Sequence, residues 1–489
     1  MIKFKDVSFR YKNSFKETEF ALENIMLDIK QGECVLLCGV SGCGKTSICR
    51  IINGLIPNYF QGDMQGEVLI RGKDTNQLDM VERASFSGNV FQNPKTQFFN
   101  NNMVSEIAFT SENMGVSSTV IRQQVEKQMN EFDLHHIKDN LLHQMSGGEK
   151  QRVACAAASA MDQSLLILDE PSSNLDYKSI EHLKDILQMW KKQGKTIVIS
   201  EHRLYFLKDI VDKVYVLDKG NIVKKFTRSE FALLSDDELN SMGLRSLLPI
   251  QSKSLISKSE ISASMNINNL HVKYKGKKAL TIPELSMNWQ GVCAIVGDNG
   301  AGKSTFINAL SGLIKSKKGK IVVNGKVYSA KDLQRNCYIV AQDVTHQLFS
   351  DSVYEEIACT NNITEDKIDI LLKELNLYHK KDVHPMSLSG GEKQRLSIAV
   401  ALSIDKNIIF FDEPTSGLDF YNMQKTSKLI NELSFQNKII FVITHDIEFI
   451  INACSHVLEI KNGQVVQDFS LQNHSREQLF EIFKGESER

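Results

Sequence analysis

Two stretches of this chain, Gly39-Val40-Ser41-Gly42-Cys43-Gly44-Lys45-Thr46 and Gly297-Asp298-Asn299-Gly300-Ala301-Gly302-Lys303-Ser304, share the pattern G-x-x-x-x-G-K-[ST]. Glycines let successive backbone N–H groups turn inward and form an anion nest. A helix that follows points its positive end at the same anion. The lysine then reaches phosphate oxygens, and the hydroxyl of Thr46 or Ser304 is placed for a divalent cation. Each loop follows an apolar run suited to a buried parallel strand, Cys34-Val35-Leu36-Leu37-Cys38 or Val292-Cys293-Ala294-Ile295-Val296. Each precedes a helical pattern, Ile48 to Leu55 or Phe306 to Leu313. Strand, loop and helix in that order, twice, predict two phosphate-binding α/β domains.

Further matched landmarks follow both loops. Gln92 and Gln342 each end a strand, and each has a second glutamine five positions on, Gln97 and Gln347. Ser146-Gly147-Gly148-Glu149-Lys150-Gln151-Arg152 and Ser389-Gly390-Gly391-Glu392-Lys393-Gln394-Arg395 each open a helix, with the serine as N-cap and its turn as a second anion site. Leu165-Leu166-Ile167-Leu168-Asp169-Glu170 and Ile408-Ile409-Phe410-Phe411-Asp412-Glu413 are buried-strand runs ending in paired carboxylates. In open parallel sheets ligands sit at the carboxyl ends of strands, so the acids arrive where the phosphates are. One more strand in each half brings up His202 and His445. The offset between copies is 258 at the loop lysine, 250 at the glutamine, and 243 from the Ser-Gly-Gly turn to the histidine. The second copy is therefore shorter only between the phosphate loop and that turn.

The repeat divides the chain into domains at 1–235 and 265–489, joined by a Ser-rich linker at 236–264. Formal net charge is −1, so no global basic field argues for nucleic acid. No apolar run reaches the roughly 20 residues of a membrane-spanning helix, and the N-terminus lacks a signal-like apolar stretch. The nine cysteines include no C-x-x-C pair, which disfavours disulfide frameworks and zinc and points to a reducing cytosol. Tyr11 and Tyr274 each fit either an adenine-stacking aromatic or a plain core or edge aromatic. Cys43 is either a thiol activated at a helix N-terminus or a small residue tolerated in the loop. Trp190, His135, His136 and His384 read as structural or surface residues.

Together these motifs resemble the ATP-binding-cassette ATPases, over nearly the whole chain and in two copies. Gln92-Asn93-Pro94-x-x-Gln97, Ser200-Glu201-His202-Arg203 and Gly54-Leu55-Ile56-Pro57 look like the energy-coupling-factor importers, in which two ATPases are sometimes fused. The resemblance implies tandem P-loop domains, each a mainly parallel sheet flanked by helices with a helical subdomain. It implies ATP and Mg²⁺, and pairing of the two domains head to tail over two nucleotides. One site would combine Gly39, Ser41, Gly42, Gly44, Lys45, Thr46, Ser47, Gln92, Asp169, Glu170 and His202 with Ser389, Gly390 and Gly391. The other would combine Gly297, Asn299, Gly300, Gly302, Lys303, Ser304, Thr305, Gln342, Asp412, Glu413 and His445 with Ser146, Gly147 and Gly148. Asp169 and Asp412 would serve Mg²⁺ with Thr46, Ser304, Gln92 and Gln342. Glu170 and Glu413 would polarise water, and the histidines would hold the γ-phosphate.

The implied activity is ATP hydrolysis energising an importer of a vitamin, thiamine precursor or metal ion, at the cytoplasmic face of the cell membrane. Its partners would be a shared transmembrane coupling protein and a solute-binding membrane protein, docked near Phe98, Phe99, Leu348 and Phe349, with core packing an equal reading for those four. Fused sugar-importer ATPases are an alternative, but they tend to have one degenerate domain, and neither copy here lacks a residue of the set. Tandem ATPases acting on ribosomes are another; those carry a longer, charged helical arm between the domains.

Overall fold

The apolar run after Glu33 forms the strand Cys34–Gly39, every residue of which is buried. Burial on both faces follows from its position inside a parallel sheet. Cys34, Leu36 and Cys38 face one core, with Leu166, Leu168, Ile197 and Ile199. Val35 and Leu37 face the other, with Leu165, Ile167 and Val198. Residues of period two thus fill two cores, and the helix Lys45–Ile52 lies on the second through Ile48, Cys49, Ile51 and Ile52.

In a computed structural model of the chain, the described residues are 1–12, 20–249, 262–274, 277–314, 319–360, 363–435, 438–471 and 476–484. They form two compact units, Met1–Leu247 and Leu248–Arg489. The first contains a six-stranded sheet in the order Asn221–Thr227, Lys213–Asp218, Cys34–Gly39, Thr196–Ser200, Leu165–Asp169, Ser87–Val90. All neighbours are parallel except the edge strand Asn221–Thr227. The second repeats this order with Gln464–Ser470, His456–Lys461, Val292–Val296, Ile439–Ile443, Ile408–Asp412 and Cys337–Val340. Each unit adds a four-stranded antiparallel sheet, which includes Ile2–Tyr11 or Ser262–Tyr274. Helices Met103–Asn113, Ser118–Glu131 and Gly147–Ala158 pack together in the first unit, and Val353–Ala358, Glu365–Glu374 and Gly390–Ser403 in the second.

Two expectations are corrected. Residues 236–247 belong to the first unit rather than to a linker: Asp236–Ser241 is a helix, and Leu239, Leu244 and Leu247 sit in that unit's core. Of the Ser-rich stretch, 251–264, residues 251–261 lie outside the described residues, and the second unit's first strand begins within it, at Ser262. The strand Ile2–Tyr11 carries a bulge at Asp6, where φ is 53° and the register slips between Lys5 and Ser8. Trp190 is buried beside Phe132, and His384 caps a short helical turn at Pro385–Ser387.

Candidate active site

The first phosphate loop turns into its helix at Gly44, whose φ of 105° puts it in the left-handed region that favours glycine; Gly302 does the same at 108°. From the first helical position the Lys45 ammonium folds back over the loop, donating to the carbonyls of Gly39 at 3.0 Å and Val40 at 3.1 Å. Lys303 donates to Gly297 O at 2.7 Å and Asp298 O at 3.0 Å. Each cation is thereby held at the concave face of its loop. Gly39, Ser41, Gly42, Ser47, Gly297, Asn299, Gly300 and Thr305 lie in the same loops or the first turns that follow them.

The two acidic strands deliver their carboxylates to these helices. The Thr46 hydroxyl donates to Asp169 Oδ1 at 3.2 Å, and the Ser304 hydroxyl lies 3.5 Å from Asp412 Oδ2. Asp169 pairs in register with Ser200, whose hydroxyl also donates to it; Asp412 pairs with Ile443, which has no donor to give. Burial pushes both aspartates above the usual carboxylate range, against the hydroxyl bonds that pull them down. Neither forms an ion pair among the described residues. A buried hydroxyl–carboxylate oxygen pair beside a phosphate cradle fits Mg²⁺, which takes one or two carboxylates and draws its remaining ligands from phosphates and water. A cavity of about 480 Å³ in the first unit is lined by Thr46, Arg50, Phe60, Gln92 and Asp169 among others.

Glu170 and Glu413 follow those aspartates with positive φ, 47° and 52°. The Gln92 amide donates to Glu170 Oε2 at 2.7 Å, and His202 Nε2 lies 3.2 Å from Glu170 Oε1. In the second unit, Glu413 Oε2 accepts from the Thr444 hydroxyl at 3.2 Å and the His445 N–H at 3.4 Å. His445 Nε2 sits 3.7 Å from Glu413 Oε1 and 3.2 Å from Lys303 Nζ. Gln342 makes no side-chain hydrogen bond among the described residues, so the structure does not bring it onto Glu413 as it brings Gln92 onto Glu170.

Ser146 and Ser389 each cap a helix through a reciprocal box. Ser146 N–H donates to Glu149 Oε2 at 2.6 Å while Glu149 N–H donates to the serine hydroxyl at 3.3 Å; the second unit gives 2.9 Å and 3.4 Å with Glu392. The glycines behind them, Gly147, Gly148, Gly390 and Gly391, form the first turns of those helices.

The second glutamines are struts. Gln97 accepts from Phe91 N–H and donates to Asn89 O, and Gln347 does the same with Ala341 and Ile339. Past them, buried Glu106 accepts from the N–H groups of Phe99 and Asn100, and buried Glu356 from those of Phe349 and Ser350. Phe99 and Phe349 stand 78% and 80% exposed on these pinned loops, whereas Leu348 is buried and Phe98 packs on the core. Of the four residues proposed for docking, two therefore have a core role.

The open alternatives divide as follows. Cys43 is buried, and burial raises its thiol above the ordinary value despite Lys45 nearby, so the activated-thiol reading is withdrawn. The Tyr11 hydroxyl contacts Ser47 Oγ at 3.0 Å and accepts from Arg50 at 3.1 Å, which ties the tyrosine to the phosphate-loop helix. Its ring meets Phe9 and Phe60 edge to face. The Tyr274 side chain lies outside the described residues.

The comparisons with known proteins give the family. A family model described as ABC transporter matches residues 22–173 and 280–416. A putative ABC transporter ATP-binding protein of Treponema denticola is 40% identical, covering 96% of this chain and 97% of the relative. The chain belongs to the ABC transporter family. A Bacillus subtilis relative of this ABC protein, named a putative HMP/thiamine import ATP-binding protein, is 29% identical over 96% of this chain and 91% of its own. An archaeal ribosome recycling factor, solved in complex with a ribosomal stalk protein, superposes with a TM-score of 0.65 at 22% identity. It covers 98% of this chain and 92% of its own, and it shows the shared fold alone. The two units are ABC ATPase domains, binding ATP and converting it with water to ADP and phosphate, coupled to transport.

Sequence reasoning quoted Glu201 and Arg203 only within a family motif and missed how they hold this ABC site together. Glu201, buried, accepts from the N–H groups of Ser172, His202 and Arg203, and Arg203 donates to Ser172 O and Leu175 O. They brace the loop after Glu170. In the second unit the Thr415 hydroxyl donates to Asp446 instead. Glu106 and Glu356 could have been found, since each lies fourteen residues after its loop glutamine.

Proposed function

We propose that this chain is the energising subunit of an importer of the energy-coupling-factor type, and that its two units pair head to tail over two nucleotides. The Ser389-Gly390-Gly391 turn then closes on the phosphates at Lys45, and Ser146-Gly147-Gly148 on those at Lys303. Lys45 and Lys303 neutralise phosphate charge, and the helix N-termini add their dipoles. Glu170 and Glu413 accept hydrogen bonds from an attacking water and orient it, while His202 and His445 donate to the γ-phosphate. Thr46 with Asp169, and Ser304 with Asp412, would hold Mg²⁺, which when bound would supply charge stabilisation at the phosphates. In-line transfer needs little beyond such positioning.

The observation that carries the transport partner is the pair of exposed phenylalanines, Phe99 and Phe349, on loops pinned by buried Glu106 and Glu356. An aromatic held rigidly in solvent suits a hot spot for a protein partner. In the first unit it borders a cavity of about 220 Å³ lined by Arg83, Gln97, Glu106 and Phe109. The partner proposed is an integral membrane subunit, with a second membrane protein binding the solute. A vitamin or thiamine precursor is the solute favoured by the Bacillus subtilis relative's name, with a metal ion as the alternative cargo.

Tagged protein recovered from detergent-solubilised membranes of its own cells tests this. The expected result is co-purification of small integral membrane subunits, reduced about tenfold or more by Phe99→Ala with Phe349→Ala, with ATP turnover of the purified chain unchanged. Sedimentation with ribosomes and without membrane subunits would contradict it.

A further inference from the structure

The last described helix, Arg476–Lys484, packs against Ile447–Ala453, the helix that begins two residues after His445. Leu479 and Ile482 anchor it in the interior. The next residue, Phe483, is also buried, and its ring meets the His445 imidazole edge to face, with centroids 6.3 Å apart and planes at 69°. The same imidazole presents Nε2 to Lys303 Nζ at 3.2 Å and Glu413 Oε1 at 3.7 Å. A histidine has two side-chain rotors, and a wall behind the ring removes orientations that carry Nε2 away from the lysine and glutamate. The first unit is built differently. There His202 reaches Glu170 at 3.2 Å, and no aromatic ring packs on it among the described residues.

We propose that Phe483 is a positioning residue for hydrolysis in the second unit, acting by fixing the orientation of His445 between Lys303 and Glu413. This rests on the reading of His445 as a γ-phosphate ligand. It makes the helix Arg476–Lys484 part of one ATP site and leaves the other site without such a support. A group that must donate to a transferring phosphoryl oxygen gains from being held in place before the reaction, so losing the wall lowers turnover more than it weakens ATP binding.

The test is a double-mutant cycle on the purified full chain. Phe483→Leu keeps an apolar side chain between helix and core, so its melting temperature checks that the fold survives. With the first site silenced by Glu170→Gln in every variant, it is expected to lower the remaining kcat about fivefold with little change in KM, and Phe483→Tyr to restore it to within about twofold. In a His445→Ala background, Phe483→Leu is expected to have no further effect, because the residue it positions is gone. Wild-type kcat in Phe483→Leu beside a reduced kcat in His445→Ala would overturn the positioning role alone. Equal losses from Phe483→Leu with and without His445 would show a structural effect and overturn it as well. Wild-type kcat in His445→Ala would overturn the underlying reading of the histidine.

Discussion

Glu170 and Glu413 occupy the same place at the ends of equivalent strands, with the same left-handed backbone, yet different neighbours hold their carboxylates. Glu170 is held by Gln92 from the loop that carries Phe99, and by His202. Glu413 is held by Thr444 and the His445 N–H, both from the end of its neighbouring strand. The difference begins in the sequence, because Thr444 stands where the first copy has Glu201. Glu201 turns away to brace the loop at Ser172 and leaves Glu170 to Gln92. The same matched residues can therefore be wired to different parts of their domain. In the first unit the glutamate is tied to the surface proposed for the transport partner; in the second it is tied to the sheet. A left-handed non-glycine residue costs on the order of 1 kcal/mol or more, and both units keep one here. The carboxylate is thus presented by the backbone, and its hydrogen bonds do the fine orientation.

If both units are competent, Glu170→Gln and Glu413→Gln each slow ATP hydrolysis, and the double variant falls by ~10²-fold or more. Steady-state phosphate release by purified protein reads this directly. Wild-type turnover in either single variant would reduce the comparison to one working site and one relic. A smaller effect separates the two Ser-Gly-Gly helices. A Cβ added at Gly148 would lie 2.1 Å from the Ser179 hydroxyl, whereas at the matching Gly391 the nearest atom is 3.7 Å away. Gly148→Ala is expected to destabilise the protein by about 1–2 kcal/mol. Gly391→Ala is expected to be neutral or stabilising by up to about 1 kcal/mol, since alanine favours a helix over glycine. Urea unfolding of each variant distinguishes them, and equal losses would mean that the two turns are packed alike.

The fold was legible because its signals were doubled. Buried strands read as apolar runs, the glycine loops and capped helices carry their own chemistry, and a shared offset of 243 residues aligned the second half of each copy. What stayed hidden depends on partners distant in sequence. Nothing local shows that Glu201 is spent on the N–H of Ser172, or that Phe483 ends against His445. Burial decided Cys43, and a helix-dipole argument could not see that the residue is buried within its unit's core. The boundary at Leu247 was missed for a related reason. Residues 236–247 are polar enough to resemble a linker, and only Leu239, Leu244 and Leu247 dock them. Phe99 and Phe98 are adjacent aromatics, and only the backbone bonds to Glu106 determine which one faces solvent.

The claim that the two sites are wired differently is tested most directly by the kcat of Gln92→Ala and Gln342→Ala in the purified chain. A hydrogen bond to a charged group contributes about 1.5–3 kcal/mol, so with the opposite site silenced by Glu413→Gln or Glu170→Gln, losing the Gln92 amide from Glu170 should lower the remaining kcat about tenfold or more. Gln342 makes no such bond to Glu413, and its removal should cost less than about threefold by the same reasoning. Equal losses from the two substitutions, or a larger one from Gln342→Ala, would contradict the difference in wiring.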